Sequence, residues 1–289
     1  MRLLILGRDG QLGRALAALD WGGAQVETAD RARADLATPA AAQMVAALRP
    51  DVVLNAAAWT DVEGAENARD AAFRINAQAP GELALACRQA GAWLVHYSTD
   101  YVFDGAKAGA YTEADAPYPL NVYGESKLAG EAAVMHSGAR HLVLRSSWIY
   151  DREGDNFLNR MLARARAPGT TALPMVADQV GAPTWSHTLA HATRLALRQC
   201  LAPDGARLAG LYHVTPAGRC SWFEYAQATL EMLEIRRELA PVSAAAFGTR
   251  ARRPANSELD ASRFAATFGW ARPHWREELR RCLEAVRPG

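Results

Sequence analysis

The opening of the chain constrains its fold more than any other stretch. Arg2-Leu3-Leu4-Ile5-Leu6 is a short apolar run that stops at Gly7, and Gly10 and Gly13 follow in Gly7-Arg8-Asp9-Gly10-Gln11-Leu12-Gly13. Leu12, Leu16 and Leu19 then recur at helical spacing. A buried strand that breaks on glycines and reopens as a helix is the context of a dinucleotide-binding turn. Glycine there permits a tight turn and close approach of the backbone to a pyrophosphate on the helix N-terminus. The rhythm continues. Gln25–Thr28, Asp51–Asn55, Trp93–Ser98 and His141–Arg145 read as further strands, separated by helical segments. The alternation predicts an α/β fold: a Rossmann-type, doubly wound parallel sheet with helices on both faces.

Chemistry-bearing residues fall at the strand ends, where open α/β sheets bind ligands. Asp30 follows the second strand at the distance expected of an acid that holds adenosine ribose hydroxyls. Arg31 and Arg33 beside it are suited to a 2′-phosphate, so NADPH and NADH both stay open. Ala56-Ala57-Ala58 at the end of the third strand leave room for a cofactor, or simply pack closely. The fourth strand delivers Ser98 and Thr99 to the same edge. Tyr123 and Lys127 are four apart, so on a helix they share a face. A nearby ammonium favours a phenolate, which predicts that Lys127 lowers the pKa of Tyr123 and makes it a usable acid.

Beyond about Arg145 the pattern changes. Phe157–Ala165 reads as a helix, Leu173–Val176 as a short strand, Ser186–Leu197 as a helix and Gly210–Val214 as a late strand. Ser221 with Glu224 three residues on predicts a capping box that starts a helix over Trp222–Leu233. The expected division is a dinucleotide-binding domain over 1–150, with about 184–200 and 210–215, and a smaller, mostly C-terminal α/β substrate lobe over about 151–183 and 216–289.

The net charge of +1 implies no nucleic-acid or anionic-membrane partner. No apolar stretch approaches a membrane span, and the opening run is too short for a signal peptide. Cys87, Cys200, Cys220 and Cys282 are scattered, which predicts reduced thiols in a cytoplasm, without a disulfide frame or a zinc site. His187 and His191 are four apart but lack the glutamate of a zinc-protease motif. No metal site is expected.

Seven segments in series carry a family likeness: GRDGQLG, RPDVVLNAAAWTDVEGAE, HYSTDYVFDG, PLNVYGESKLAGE, LRSSWIY, DQVGAPT and ARRPANSEL. Together they make the whole chain resemble the dTDP-4-dehydrorhamnose reductases, extended short-chain dehydrogenases/reductases that act on a nucleotide sugar. The resemblance implies NADPH- or NADH-dependent reduction at C4 of dTDP-4-dehydro-β-L-rhamnose, a step towards cell-surface polysaccharide. It implies catalytic roles for Thr99, Tyr123 and Lys127. Cofactor contacts would come from Gly7, Gly10, Gln11, Leu12, Gly13, Asp30, Arg31, Asp35, Leu36, Ala56, Ala57, Ala58, Tyr97, Tyr123 and Lys127. Substrate contacts would come from Thr99, Asp100, Trp148, Asn156, Gln179 and Arg253.

Two departures refine the resemblance. Related dehydratases carry Thr-Asp-Glu where this chain has Thr99-Asp100-Tyr101, so reduction is expected and dehydration is not. Some family members bind Mg²⁺ through glutamates at a dimer interface, and Ala15 stands at one ligand position. A magnesium-bridged dimer is not expected, and a monomer or a homodimer stays open. Two alternatives share the fold: a regulatory subunit of methionine adenosyltransferase, and an epimerase or reductase of another nucleotide sugar.

Overall fold

The computed structural model describes residues 1–169 and 171–285. β1 (Arg2–Leu6) occupies the interior of a six-stranded sheet. Its apolar run is continuous because both faces are covered. Leu3 and Ile5 point into one core and Leu4 and Leu6 into another, all fully buried.

The chain adds β2 (Gln25–Ala29) on one side of β1, then crosses back to lay β3 (Val52–Asn55) on the other. β4 (Trp93–Thr99), β5 (Arg140–Ser146) and the strand Gly210–His213 continue outward. The order is Gly210–His213, β5, β4, β3, β1, β2, and every neighbouring pair is parallel. Helices Gln11–Ala17 and Ser186–Cys200 cover the face of Leu3 and Ile5. Helices Ala40–Leu48 and Ala79–Ala90 cover the opposite face. This is the doubly wound α/β sheet that the alternation predicts. The reversal of strand order between β1 and β3 opens a crevice at their C-terminal ends.

A third apolar cluster lies in the C-terminal half. It joins Leu158, Met161 and Leu162 of helix Phe157–Arg166, Tyr225 and Leu230 of helix Trp222–Met232, and Trp275 and Leu279 of helix Trp275–Glu284. The short parallel pair Leu173–Val176 and Leu239–Val242 adjoins it. The predicted capping box is present: Ser221 Oγ accepts from the Glu224 amide at 3.1 Å, and Glu224 Oε2 accepts from the Ser221 amide at 2.7 Å. The helices Ser262–Phe268 and Trp275–Glu284 and the π-helical turn Arg74–Gln78 were not foreseen. Among the described residues no helix is long and apolar enough to cross a membrane, and all four cysteines are buried and free.

Candidate active site

The glycine turn is shaped by backbone sterics. Gly7 has φ +79°, a conformation that favours glycine. A Cβ there would lie 2.7 Å from the Ala57 amide nitrogen, so the turn and the end of β3 come as close as bare backbone allows. The amides of Gly7 and Arg8 both donate to the Ala29 carbonyl, at 2.9 and 3.2 Å, and strap the turn to β2. The Gly10 amide closes it on the Gly7 carbonyl at 3.0 Å. The following helix has no side-chain cap and no acid in its first turn. This is a cradle that one side chain at Gly7 would fill, with Ala56, Ala57 and Ala58 half-buried on its rim. Its residues fit a dinucleotide pyrophosphate. Leu12, Gly13 and Leu36 are buried, and both leucines pack into the cores that support the turn.

The two arginines after β2 differ in their commitments. Arg33 donates to Glu27 Oε1 at 2.7 Å and to the Thr28 carbonyl at 2.8 Å. Arg31 is 81% exposed, and its ion-pair partner among the described residues is Asp35, at 3.5 Å. Asp30 accepts from the Arg33 amide at 3.0 Å, and Asp35 from the Ala37 amide at 2.9 Å.

Asn121 caps the helix Val122–Met135, its Oδ1 accepting from the Gly124 amide at 2.8 Å. That sets Tyr123 in the first turn, beside the end of β4. Lys127, one turn on, is buried and donates to the Tyr97 carbonyl at 2.6 Å. Thr99 ends β4: its hydroxyl donates to Asp100 Oδ1 at 3.0 Å, accepts from the Tyr101 amide at 3.2 Å and reaches the Tyr123 phenol. Thr99, Asp100, Tyr123 and Lys127 thus converge at one strand end. Tyr97 joins them only through its carbonyl, because its hydroxyl is bonded to Thr193 Oγ1 at 3.0 Å.

The electrostatics correct one expectation. Burial pushes the Tyr123 phenol up to about 12; the neighbouring Thr99 hydroxyl opposes this and the Asp100 charge adds to it. The net direction is upward, and the Lys127 ammonium here donates to the Tyr97 carbonyl. Burial pushes Lys127 itself down to about 8, with Glu131 opposing. Burial also pushes Asp100 up to about 7 against hydrogen bonds from Ser257 and Thr99. Asp100 Oδ2 has no partner among the described residues. At neutral pH the site holds a protonated phenol, a hydroxyl and a cation, which is what a carbonyl needs as it gains negative charge.

Trp148 follows β5 at φ +48°, in a region sparsely used by side chains of its size. Its ring stacks on Trp222, with centroids 3.5 Å apart and planes 5° from parallel. Gly181 makes room for this: a Cβ there would lie 2.6 Å from the Trp148 ring and 2.8 Å from Ser257 Oγ. The Ser257 hydroxyl itself donates to the Val180 carbonyl at 3.3 Å. Trp222 also walls a cavity of about 360 Å³ lined by Phe157, Arg160, Arg164, Gln179, Phe247 and Arg253 among others. Gln179 is 93% buried, and its side-chain amide makes no hydrogen bond among the described residues. Arg253 pairs with Glu63 at 3.1 Å. A larger open depression of about 640 Å³, around Phe223, Glu231 and Arg237, shares none of these residues.

Asn156 is placed otherwise than expected. Its Oδ1 caps the helix Phe157–Arg166, and its Nδ2 donates to Gln11 Oε1 and the Asp151 carbonyl, both at 2.8 Å. It straps the glycine turn to the C-terminal half. Phe157, Arg160, Arg164, Trp222 and Phe247 were missed. Phe157, Arg160 and Arg164 carried a readable signal, being three and four apart on one helix face.

The chain matches the family model described as the RmlD substrate binding domain over residues 1–287. It is 40% identical to the dTDP-4-dehydrorhamnose reductase of Burkholderia thailandensis, over 98% of this chain and 98% of that protein. It is also 40% identical to the Escherichia coli enzyme of that name, over 99% of this chain and 98% of that protein. The chain belongs to the dTDP-4-dehydrorhamnose reductase family. The crystal structure of the Bacillus anthracis dTDP-4-dehydrorhamnose reductase in complex with NADP is similar over 99% of both chains, with a TM-score of 0.91 and 33% identity. In this dTDP-4-dehydrorhamnose reductase family member, Ala15 is buried in the core and brings no oxygen. Among the described residues no three His, Cys, Asp or Glu side chains are grouped to hold a metal ion.

Proposed function

We propose that the chain reduces the C4 keto group of dTDP-4-dehydro-β-L-rhamnose to the hydroxyl of dTDP-β-L-rhamnose. The observation that carries this reading is the convergence of Thr99, Tyr123 and Lys127 beside the glycine turn in a member of this reductase family. NADPH or NADH, when bound, supplies the hydride. Gly7, Gly10 and Gly13 with Ala56–Ala58 receive the pyrophosphate, Asp30 and Arg31 meet the adenosine ribose, and Lys127 holds the nicotinamide ribose.

The chain's own residues handle the charge. Negative charge grows on the C4 oxygen as the carbonyl is reduced, and the hydroxyls of Thr99 and Tyr123 are aimed to receive it. A phenol held near 12 gives its proton only to a stronger base, and a developing alkoxide is one. The Lys127 ammonium then stabilises the tyrosinate left behind. Asp100 and Trp148 flank the sugar, and the nucleotide end extends into the cavity with Gln179, Arg160, Arg164 and Arg253.

In this reading residues 1–150, with about 184–200 and 210–215, form the cofactor-binding domain, and the remainder forms the substrate lobe. The buried free thiols fit a cytoplasmic enzyme. The test is to mix the purified chain with dTDP-4-dehydrorhamnose and NADPH or NADH. Loss of nicotinamide absorbance that depends on both sugar and protein, with dTDP-rhamnose formed, supports the reading. Protein that binds cofactor but oxidises none of it would contradict the reading and favour a binding module.

A further inference from the structure

Behind the reacting residues lies a buried ionic cluster that the reduction as described does not use. Tyr123, Lys127 and Glu131 recur every four residues on the helix Val122–Met135 and form one stripe towards β4 and β5. The Glu131 side chain has no exposed surface, and that of Arg145 is 3% exposed. Glu131 Oε1 accepts from Ser98 Oγ at 2.5 Å and from Arg145 Nε at 2.8 Å, and Oε2 accepts from Arg145 Nη2 at 2.6 Å. Ser98 and Arg145 are register partners across β4 and β5, so one carboxylate ties two strands to the helix. Ser98 immediately precedes Thr99. Arg145 extends the row to its next register partner, His213, at 3.5 Å, and lies 5.1 Å over the Phe103 ring.

A core built only for stability is served as well by apolar side chains as by a buried ion pair. An acid at this place does two things that leucine cannot. It fixes the strand end through hydrogen bonds, and it sets a negative charge one turn from a buried ammonium. We propose that Glu131 is a positioning residue for the reduction: through Ser98 and Arg145 it locks the end of β4 onto the helix, holding Thr99 in register with Tyr123, and it serves as the counter-charge of Lys127. The proposal rests on the reading of Thr99, Tyr123 and Lys127 as the reactive set.

The surroundings of Lys127 support the second half. Burial, aided by the Lys127 charge, holds His96 of β4 neutral. Asp100 acts on Tyr123. Charges on the other elements packed against the helix are engaged elsewhere: Arg69 with Glu125, Arg74 with Glu82, Glu63 with Arg253, and Glu66 with the Val122 amide. Glu131 is the anion that acts on Lys127 among the described residues.

The test is kcat and its pH profile for Glu131→Gln, and for the double variant Glu131→Leu with Arg145→Met. The double variant removes both members of the Glu131–Arg145 pair, so no unpaired guanidinium is left, and it keeps the question open to measurement if Glu131→Gln fails to fold. In the folded variant, kcat should fall by about 10²-fold, the scale of a small misplacement of reacting groups. The high-pH limb of its profile should move to lower pH, because Lys127 loses the charge that keeps it protonated. A folded variant with wild-type kcat and an unmoved limb overturns the proposal. So does a fall in kcat with an unmoved limb, which is what general loosening of the structure would produce. Tyr123→Phe in the same assay separates the two readings. If it keeps turnover, the reactive set itself is wrong; if it is inactive while the Glu131 variants are normal, only this proposal fails.

Discussion

Tyr123 and Lys127 depart from the ordinary behaviour of their residue types in opposite directions, and both departures come first from burial. If Tyr123 is the proton donor proposed above, Tyr123→Phe removes that proton and leaves the ring, so kcat should drop by about 10²–10⁴-fold with an unchanged Kd for cofactor. A matching loss of cofactor affinity would place the residue's role in binding. Lys127 has its folded pKa depressed to about 8, so its ammonium is present below that value and is lost as pH rises through it. The wild-type kcat should therefore decline on crossing about pH 8, and a profile flat up to the tyrosine range would contradict this. The Tyr/Lys pair was legible because a spacing of four means one helix face. Glu131 and Arg145 were not, since charged residues on helices and strands usually mark a solvated face; only the packing of the helix Val122–Met135 against β5 brings them together. The resemblance implied a substrate contact at Asn156, which here caps a helix. The apolar run after it, from Phe157, was the readable sign of a helix cap.

At the scale of elements, the glycine turn and the capping box can be tested separately. Alanine at Gly7 would hold an L-residue in the left-handed region, at roughly 1–2 kcal/mol, and press a Cβ on Ala57. Gly7→Ala should weaken cofactor binding, as read by fluorescence titration, and an unchanged Kd would remove the turn from the cofactor site. Ser221→Ala should cost about 0.5–2 kcal/mol in urea unfolding by stripping the cap of helix Trp222–Met232. Both elements were legible for local reasons, because a turn and a cap are written in a few adjacent residues. The six-stranded sheet was legible because strands buried on both faces are continuous apolar runs. The helices Ser262–Phe268 and Trp275–Glu284 escaped. The first has only seven residues and the second is mostly charged, and their burial comes from distant partners such as Tyr212 and Tyr225.

The whole molecule joins a cofactor cradle at the sheet's C-terminal edge to a cavity against the third apolar cluster, with Trp148 and Trp222 stacked between them. No stretch of sequence carries that juxtaposition, because β5, the short strand Val180–Gly181 and the helix Trp222–Met232 meet only in the folded chain. Arg160 and Arg164 lie one turn apart on the cavity wall, suited to a diphosphate. Arg160→Ala and Arg164→Ala should each raise the KM for the dTDP sugar by about tenfold, equivalent to about 1.4 kcal/mol, with the cofactor KM unchanged. A fall in kcat alone would argue against that placement. The most direct test of the reduction follows the hydrogen itself. The wild-type chain is given dTDP-4-dehydrorhamnose and NADPH deuterated at its hydride-donating carbon, and the product is read by NMR. The account predicts a single deuterium at C4 of dTDP-rhamnose; label retained in the cofactor, or found at another sugar carbon, would contradict it.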